Sequence, residues 1–165
     1  MQQYVISIFP DNTKLYINLI NSPAGQYINR RPYLINILKE LIQSDKLEHQ
    51  VGSQEIDTGK IIGNTDIIDT TDKDVIYYAK PYKKDYFSKF AKNRYPLPSS
   101  KLSIILKKNN ETDYILQDIW IGPLYPLFPN NKEASLESKS YWNSHALAQD
   151  SKNIQSSTIT KICPY

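Results

Sequence analysis

The chain has 165 residues, 40% of them hydrophobic and 22% charged, with a formal net charge of +3. This is the size and balance of one globular domain, able to bury roughly 70% of the surface its unfolded form exposes, and it excludes a disordered polypeptide. A single cysteine, Cys163, excludes an internal disulfide framework, and apolar runs of five residues at most fall far short of the ~20 that a membrane-spanning helix needs.

Residues 3–9, Gln-Tyr-Val-Ile-Ser-Ile-Phe, are rich in β-formers and stop at Pro10, which predicts a first strand. In residues 11–21 the apolar positions Leu15, Ile17, Leu19 and Ile20 fit neither the helical nor the strand period cleanly, and a helix is preferred. After Pro32, which suits a first helical turn, Leu34, Ile37, Leu38, Leu41 and Ile42 place one apolar stripe along a helix. From His49 to Thr71 the glycines Gly52, Gly59 and Gly63 and the pairs Ile61-Ile62 and Ile67-Ile68 predict irregular chain with one or two short strands.

Residues 74–79 read as a strand, and from Tyr82 the spacing of Tyr82, Tyr86, Phe87 and Phe90 predicts a short amphipathic helix that ends before Tyr95-Pro96. Residues 102–107 and 114–121 flank a polar run with turn chemistry, predicting a β-hairpin closed off by Gly122-Pro123. The three prolines between Pro123 and Pro129 interleave with Leu124, Tyr125, Leu127 and Phe128, either an extended loop lying against the body or a surface groove. A helix is expected from about Ser135, as N-cap, to Leu147, carrying Trp142 and His145, and a last strand over 158–163. The fold class expected is α+β in a single domain over 1–165, with helices mainly in the N-terminal half and an antiparallel sheet mainly from the C-terminal half.

Charge is unevenly spread. Between Lys80 and Lys108 stand nine basic residues and one acid, Asp85, a local balance of +8 that leaves the rest of the chain at −5. Such a segment is what a polyanionic partner requires, and Lys80, Lys83, Lys84, Lys92, Arg94 and Lys101 are the candidate nucleic-acid contacts. The interleaved aromatics Tyr82, Tyr86, Phe87, Phe90 and Tyr95 either offer faces for bases or belong to the core, with the lysines on the solvated side.

The residue types present argue against several chemistries. One cysteine and two separated histidines do not compose a zinc site, and no cofactor is expected. Asp66, Asp69, Asp72 and Asp74 lack the spacing and central glycine of a calcium loop. Neither a phosphate-cradling glycine loop nor a serine nucleophile elbow is present. What remains is metal-free acid–base chemistry. Cleaving RNA this way needs a base for the 2′-OH, an acid for the leaving oxygen and cations on the phosphate. The candidate catalytic residues are His49 and His145, which suit either proton role, Arg94, whose fork can hold two phosphate oxygens, and the hydroxyl of Ser100.

The stretch Arg94-Tyr95-Pro96-Leu97-Pro98-Ser99-Ser100, followed by Leu102 to Leu106 and by Tyr114-Ile115-Leu116, resembles the barnase/EndoU/RelE-like ribonuclease superfamily over about 30 residues. In that group an amino-terminal helical part precedes an antiparallel sheet, and a basic residue enters a strand whose partner carries a Tyr-x-Leu-like run. The resemblance implies metal-independent RNA cleavage with Arg94 on the phosphate, His49 as base or acid and Ser100 nearby. Where many of those nucleases have Thr or Ser after the run, this chain has Gln117 and Asp118. The functional expectation is a metal-independent RNA-directed nuclease or toxin-like RNA-binding protein. The alternative is a non-catalytic protein that holds a protein or polyanion partner through its basic segment and Pro/aromatic loop. The opening residues lack a basic stretch followed by an apolar run, so no secretory leader is expected, and with one cysteine the expected location is cytoplasmic.

Overall fold

A computed structural model describes residues 3–149 and 152–165. In chain order the elements are β1 (Gln3–Ile8), β2 (Lys14–Asn18), α1 (Pro23–Arg30), α2 (Leu34–Gln43), β3 (Gly52–Asp57), β4 (Gly63–Thr65), β5 (Ile67–Asp69), β6 (Ile76–Ala79), β7 (Ser88–Ala91), β8 (Leu97–Ser99), β9 (Lys101–Lys108), β10 (Tyr114–Ile121), α3 (Glu137–Asn143) and β11 (His145–Ala148). Contacts gather the chain into two compact units, Met1–Gly63 with Ser99–Leu124, and Asn64–Pro98 with Tyr125–Tyr165. No helix among the described residues is long and apolar enough to cross a membrane.

The first unit is a five-stranded sheet in the order β1-β2-β10-β9-β3. The segment expected to be helical over 11–21 is instead strand β2. Leu15 and Ile17 alternate with Lys14, Tyr16 and Asn18, so a period of two buries the leucine and isoleucine completely while their neighbours stay at least partly exposed. Asn12, with φ 71°, makes the turn back from β1 as the Phe9 N–H bonds the Thr13 carbonyl at 2.8 Å. Strand β2 then pairs in parallel with β10, Ile17 opposite Leu116. The predicted hairpin forms as β9 and β10, antiparallel with a register shift between Leu116 and Asp118.

Helix α1 escaped the sequence reading. Its start is well marked, because Ser22 is the N-cap, its hydroxyl accepting the Gly25 N–H at 2.9 Å, and Pro23 fills the first turn. In α2 all five residues of the predicted stripe are buried. They pack with Leu15, Ile17, Leu102, Ile104, Leu106 and Leu116 in one apolar core.

The second unit is built on a four-stranded sheet ordered β5-β11-β7-β6, in which β11 and β7 are parallel and the outer pairings antiparallel. Strand β4 pairs with β8 in a two-stranded sheet. The helix expected from Tyr82 is absent: residues 82–87 are turns and bends, and β7 follows with all four of its residues buried. A strand covered on both faces has no polar alternation to display. The helix expected over 135–147 is the shorter α3, capped by Leu136 without a side-chain bond, and the chain then extends into β11. Over 158–163 there is no strand; a 3-10 turn at Ser156–Thr158 and a single bridge, Thr160 to Tyr78, stand in its place. In the Pro/aromatic loop Phe128 is buried while Leu127 stays exposed. Phe128 stacks on Trp142 at 4.0 Å, Tyr125 meets the same indole edge-on, and the Trp142 Nε1–H donates to the Pro126 carbonyl at 3.1 Å.

The protein is thus mixed α and β, mostly strand. Helices α1 and α2 lie in the N-terminal half as expected, while α3 is C-terminal. The strands do not come mainly from the later chain, because β1, β2 and β3 supply three of the five in the larger sheet.

Candidate nucleic-acid interface

Folding divides the basic segment. Lys80, Lys83, Lys84, Lys89, Lys92 and Arg94 lie in the second unit, while Lys101, Lys107 and Lys108 lie in the first. Some of these charges are spent internally. Lys89, 6% exposed, donates from Nζ to the Trp142 carbonyl at 2.5 Å and to that of Asn143 at 3.5 Å, so it caps the C-terminal end of α3. Burial pushes the Lys89 ammonium below its ordinary pKa. Lys101 pairs with Glu55 at 3.4 Å, and Lys108 lies over the Tyr114 ring, its Nζ 4.3 Å from the centroid.

The others present a different picture. Lys83, Lys84 and Lys92 are exposed and Lys80 half-buried, and among the described residues no carboxylate is within ion-pair distance of any of them. Lys80 to Lys84 form a tight loop between β6 and β7, closed by the Lys84 N–H on the Pro81 carbonyl at 3.0 Å, with Lys83 at φ 62°. Few side chains tolerate that left-handed backbone well. Neighbouring chain holds the loop in place. The Tyr82 N–H bonds the Asn153 carbonyl at 2.8 Å, the Lys80 carbonyl accepts from the Gln155 N–H at 2.8 Å, and the Lys80 N–H donates to Thr158 Oγ1 at 2.8 Å. The Gln155 amide donates to both the Pro81 and the Lys84 carbonyls at 2.9 Å. On this fixed backbone the Tyr82 ring is 63% exposed with the Lys83 ammonium 5.5 Å from its centroid, and Lys80 lies 5.2 Å from the Phe87 centroid. Those distances suit cation–π attraction, which orients each lysine without neutralising it.

Arg94 and His145 converge on one group in the second unit. Arg94 donates to Asp74 Oδ1 at 2.8 Å and to the Asp69 carbonyl at 3.4 Å. His145 Nε2 meets Asp69 Oδ1 at 3.0 Å, while its Nδ1 lies 2.8 Å from the Tyr141 carbonyl and 3.0 Å from the Ser144 hydroxyl. The Tyr141 ring stacks on the imidazole at 3.9 Å. The Thr71 N–H first, and then the Arg94 guanidinium, hold the Asp74 carboxyl below the usual carboxylate range. Arg94 and His145 thus each have a carboxylate partner within the same unit.

The other two catalytic candidates belong to the first unit. His49 Nε2 meets Asp11 Oδ2 at 3.0 Å, its ring 4.8 Å from Phe9. The Ser100 carbonyl accepts the Thr58 N–H and hydroxyl at 2.9 and 2.7 Å, closing the bend after β3. Asp118, which with Gln117 departs from the run of the ribonucleases that the sequence resembles, accepts the Ile119 N–H at 2.9 Å. A shallow depression along β3 is lined by Lys46, Glu48, Gln54, Glu55, Ile56 and Asp57, with three carboxylates to one ammonium. No group of three or more His, Cys, Asp or Glu side chains placed to hold a metal occurs among the described residues.

No family model, curated protein or solved structure matches this chain.

The residues that sequence reading missed are Gln155, which fastens the basic loop, and Lys152, exposed and one position before the Asn153 carbonyl that holds Tyr82. Gln155 carries no sequence signal, because it meets the loop only through hydrogen bonds across some 70 residues, and Lys152 is brought near only by the bond of its neighbour Asn153 to Tyr82.

Proposed function

We propose that the protein binds RNA through the Lys80–Lys84 loop, with Lys152 as a further phosphate contact, and that it does so without cleaving it; Lys92, at the far end of the β6–β7 pair where its N–H bonds the Val75 carbonyl, stands apart from this set. The observation that carries this reading is a rigidly hydrogen-bonded loop whose three lysines have no carboxylate partner among the described residues. Holding charges in place before the partner arrives lowers the ordering cost of association. Cleavage is the weaker reading, since Arg94 and His145 are engaged by Asp74 and Asp69.

Salt titration tests binding. With about three or four phosphate contacts to a single strand, affinity should fall roughly 20- to 50-fold between 50 and 200 mM salt. A flat response removes the RNA reading and leaves the loop to an acidic protein partner. Cleavage is tested by incubating mixed RNA with wild type and Arg94→Ala, with and without EDTA. Intact RNA is expected in every lane; degradation by wild type that Arg94→Ala abolishes would restore the nuclease.

A further inference from the structure

We infer that the ligand of this loop is an unpaired nucleotide, its base lying on the Tyr82 ring and its flanking phosphates on Lys84 and Lys152, and that Gln155 is the positioning residue of the site. The inference rests on the RNA-binding reading and deepens it. Among the aromatic residues of the segment, Tyr86 and Phe87 are half-buried, Phe90 is fully buried in the apolar core, where Tyr77 stacks on it at 5.2 Å, and Tyr95, though 71% exposed, lies beyond β7 and outside the lysine loop. Tyr82 is different: it sits at the tip of the lysine loop, and the loop's hydrogen bonds are all made by backbone, Gln155 and Thr158, so none of them occupies its ring.

A cationic groove without an exposed ring would read only phosphate, in duplex or single strand alike. A ring beside the lysines adds a face that only an unstacked base can use. Tyr82 also has a fixed position, since its own N–H is held by Asn153 and the carbonyls on either side of it, at Pro81 and Lys84, are both held by Gln155. A ring so placed needs little ordering when a base arrives. Lys83 beside it supplies positive charge to the same nucleotide. Removing the Gln155 amide frees two loop carbonyls without altering any charge, so its effect is separable from electrostatics.

Fluorescence anisotropy at about 50 mM salt, with a labelled 12-nucleotide oligouridylate and a 12-base-pair RNA duplex, tests the assignment. Tyr82→Ala should weaken oligouridylate binding about 5- to 150-fold, the range for one lost stack, and leave the duplex affinity unchanged. Gln155→Ala should also weaken oligouridylate binding with the salt slope unchanged, and should speed hydrogen exchange at the Tyr82 and Lys84 amides. Lys83→Gly, which removes a charge while suiting the left-handed backbone, should reduce the salt slope by about 0.7. Equal affinity for the two RNAs, unaltered in Tyr82→Ala, overturns the nucleotide assignment and leaves RNA binding standing. Absence of affinity for both RNAs in wild type overturns both readings.

Discussion

Lys89 keeps an ammonium inside the second unit with two helix carbonyls as its partners. Because burial depresses its pKa, the folded protein releases this proton at lower pH than the unfolded chain, whose value stays near 10.5. Between those two values the unfolded chain binds more protons, so the contribution of Lys89 to stability rises with pH. Urea titrations of wild type and Lys89→Met from pH 7 to 10 should show wild type gaining on the variant as pH increases; parallel curves would contradict this. Asp74 runs the other way. Its depressed carboxyl contributes stability above the ordinary 3.8, and that contribution is lost as pH falls through the lower folded value. Arg94→Ala should cost roughly 0.5–1 kcal/mol at neutral pH, discounted because the guanidinium is a third exposed, and should flatten the acid limb of the stability profile. At this scale the sequence displayed which residues were basic but not what each would touch. Lys80, Lys83 and Lys84 read the same as Lys89 and Arg94 in the chain, and only tertiary partners separate a buried cap and an ion pair from open charge.

Among the elements, α1 carries a test of its own. Glycine in a helix is ordinarily improved by alanine. At Gly25 an added Cβ would lie 2.3 Å from the Asn18 carbonyl oxygen and 2.7 Å from Leu19 backbone atoms, none of which can rotate aside. Gly25→Ala should therefore destabilise, by roughly 1–3 kcal/mol in chemical denaturation, where propensity alone forecasts a gain. Ser22→Ala, which removes the cap on the Gly25 N–H and the hydroxyl bond to the Asn18 carbonyl, should cost about 1–2 kcal/mol by the same measurement. Legibility followed how each element buries its side chains. The stripe of α2 and the turn chemistry between β9 and β10 are local signals, and both elements formed where expected. Strand β2 was obscured because Leu19 and Ile20 follow directly on Leu15 and Ile17 and blur the alternation. Ahead of β7, Tyr82 and Tyr86 stand with its Phe90 at intervals of four that imitate a helical spacing, while the buried Lys89 disguises an interior strand as a surface one.

For the whole molecule, the decisive fact is that neither unit is a continuous stretch of chain, since the path crosses between them near residues 63, 98 and 124. No linker marks these crossings, which is why composition showed no boundary. A chain ending at Leu124 keeps every strand of the five-stranded sheet but loses β11, the strand between β5 and β7. Hydrogen exchange of that fragment should leave amides of 102–106 and 114–121 protected while those of Ser88–Ala91 exchange freely; uniform loss of protection would show that the larger sheet does not stand alone. The parallel pairing of β2 with β10 has a further consequence during synthesis. Lys14 and the Asp113 carboxylate that receives its N–H are 99 residues apart. At about 5–20 residues per second a ribosome needs on the order of 5–20 s to bridge that gap. Helices α1 and α2 emerge early enough to cover Leu15 and Ile17, but throughout that interval the edge of β2 that pairs with β10 keeps its backbone N–H and C=O groups open, a template for another chain until the tenth strand emerges.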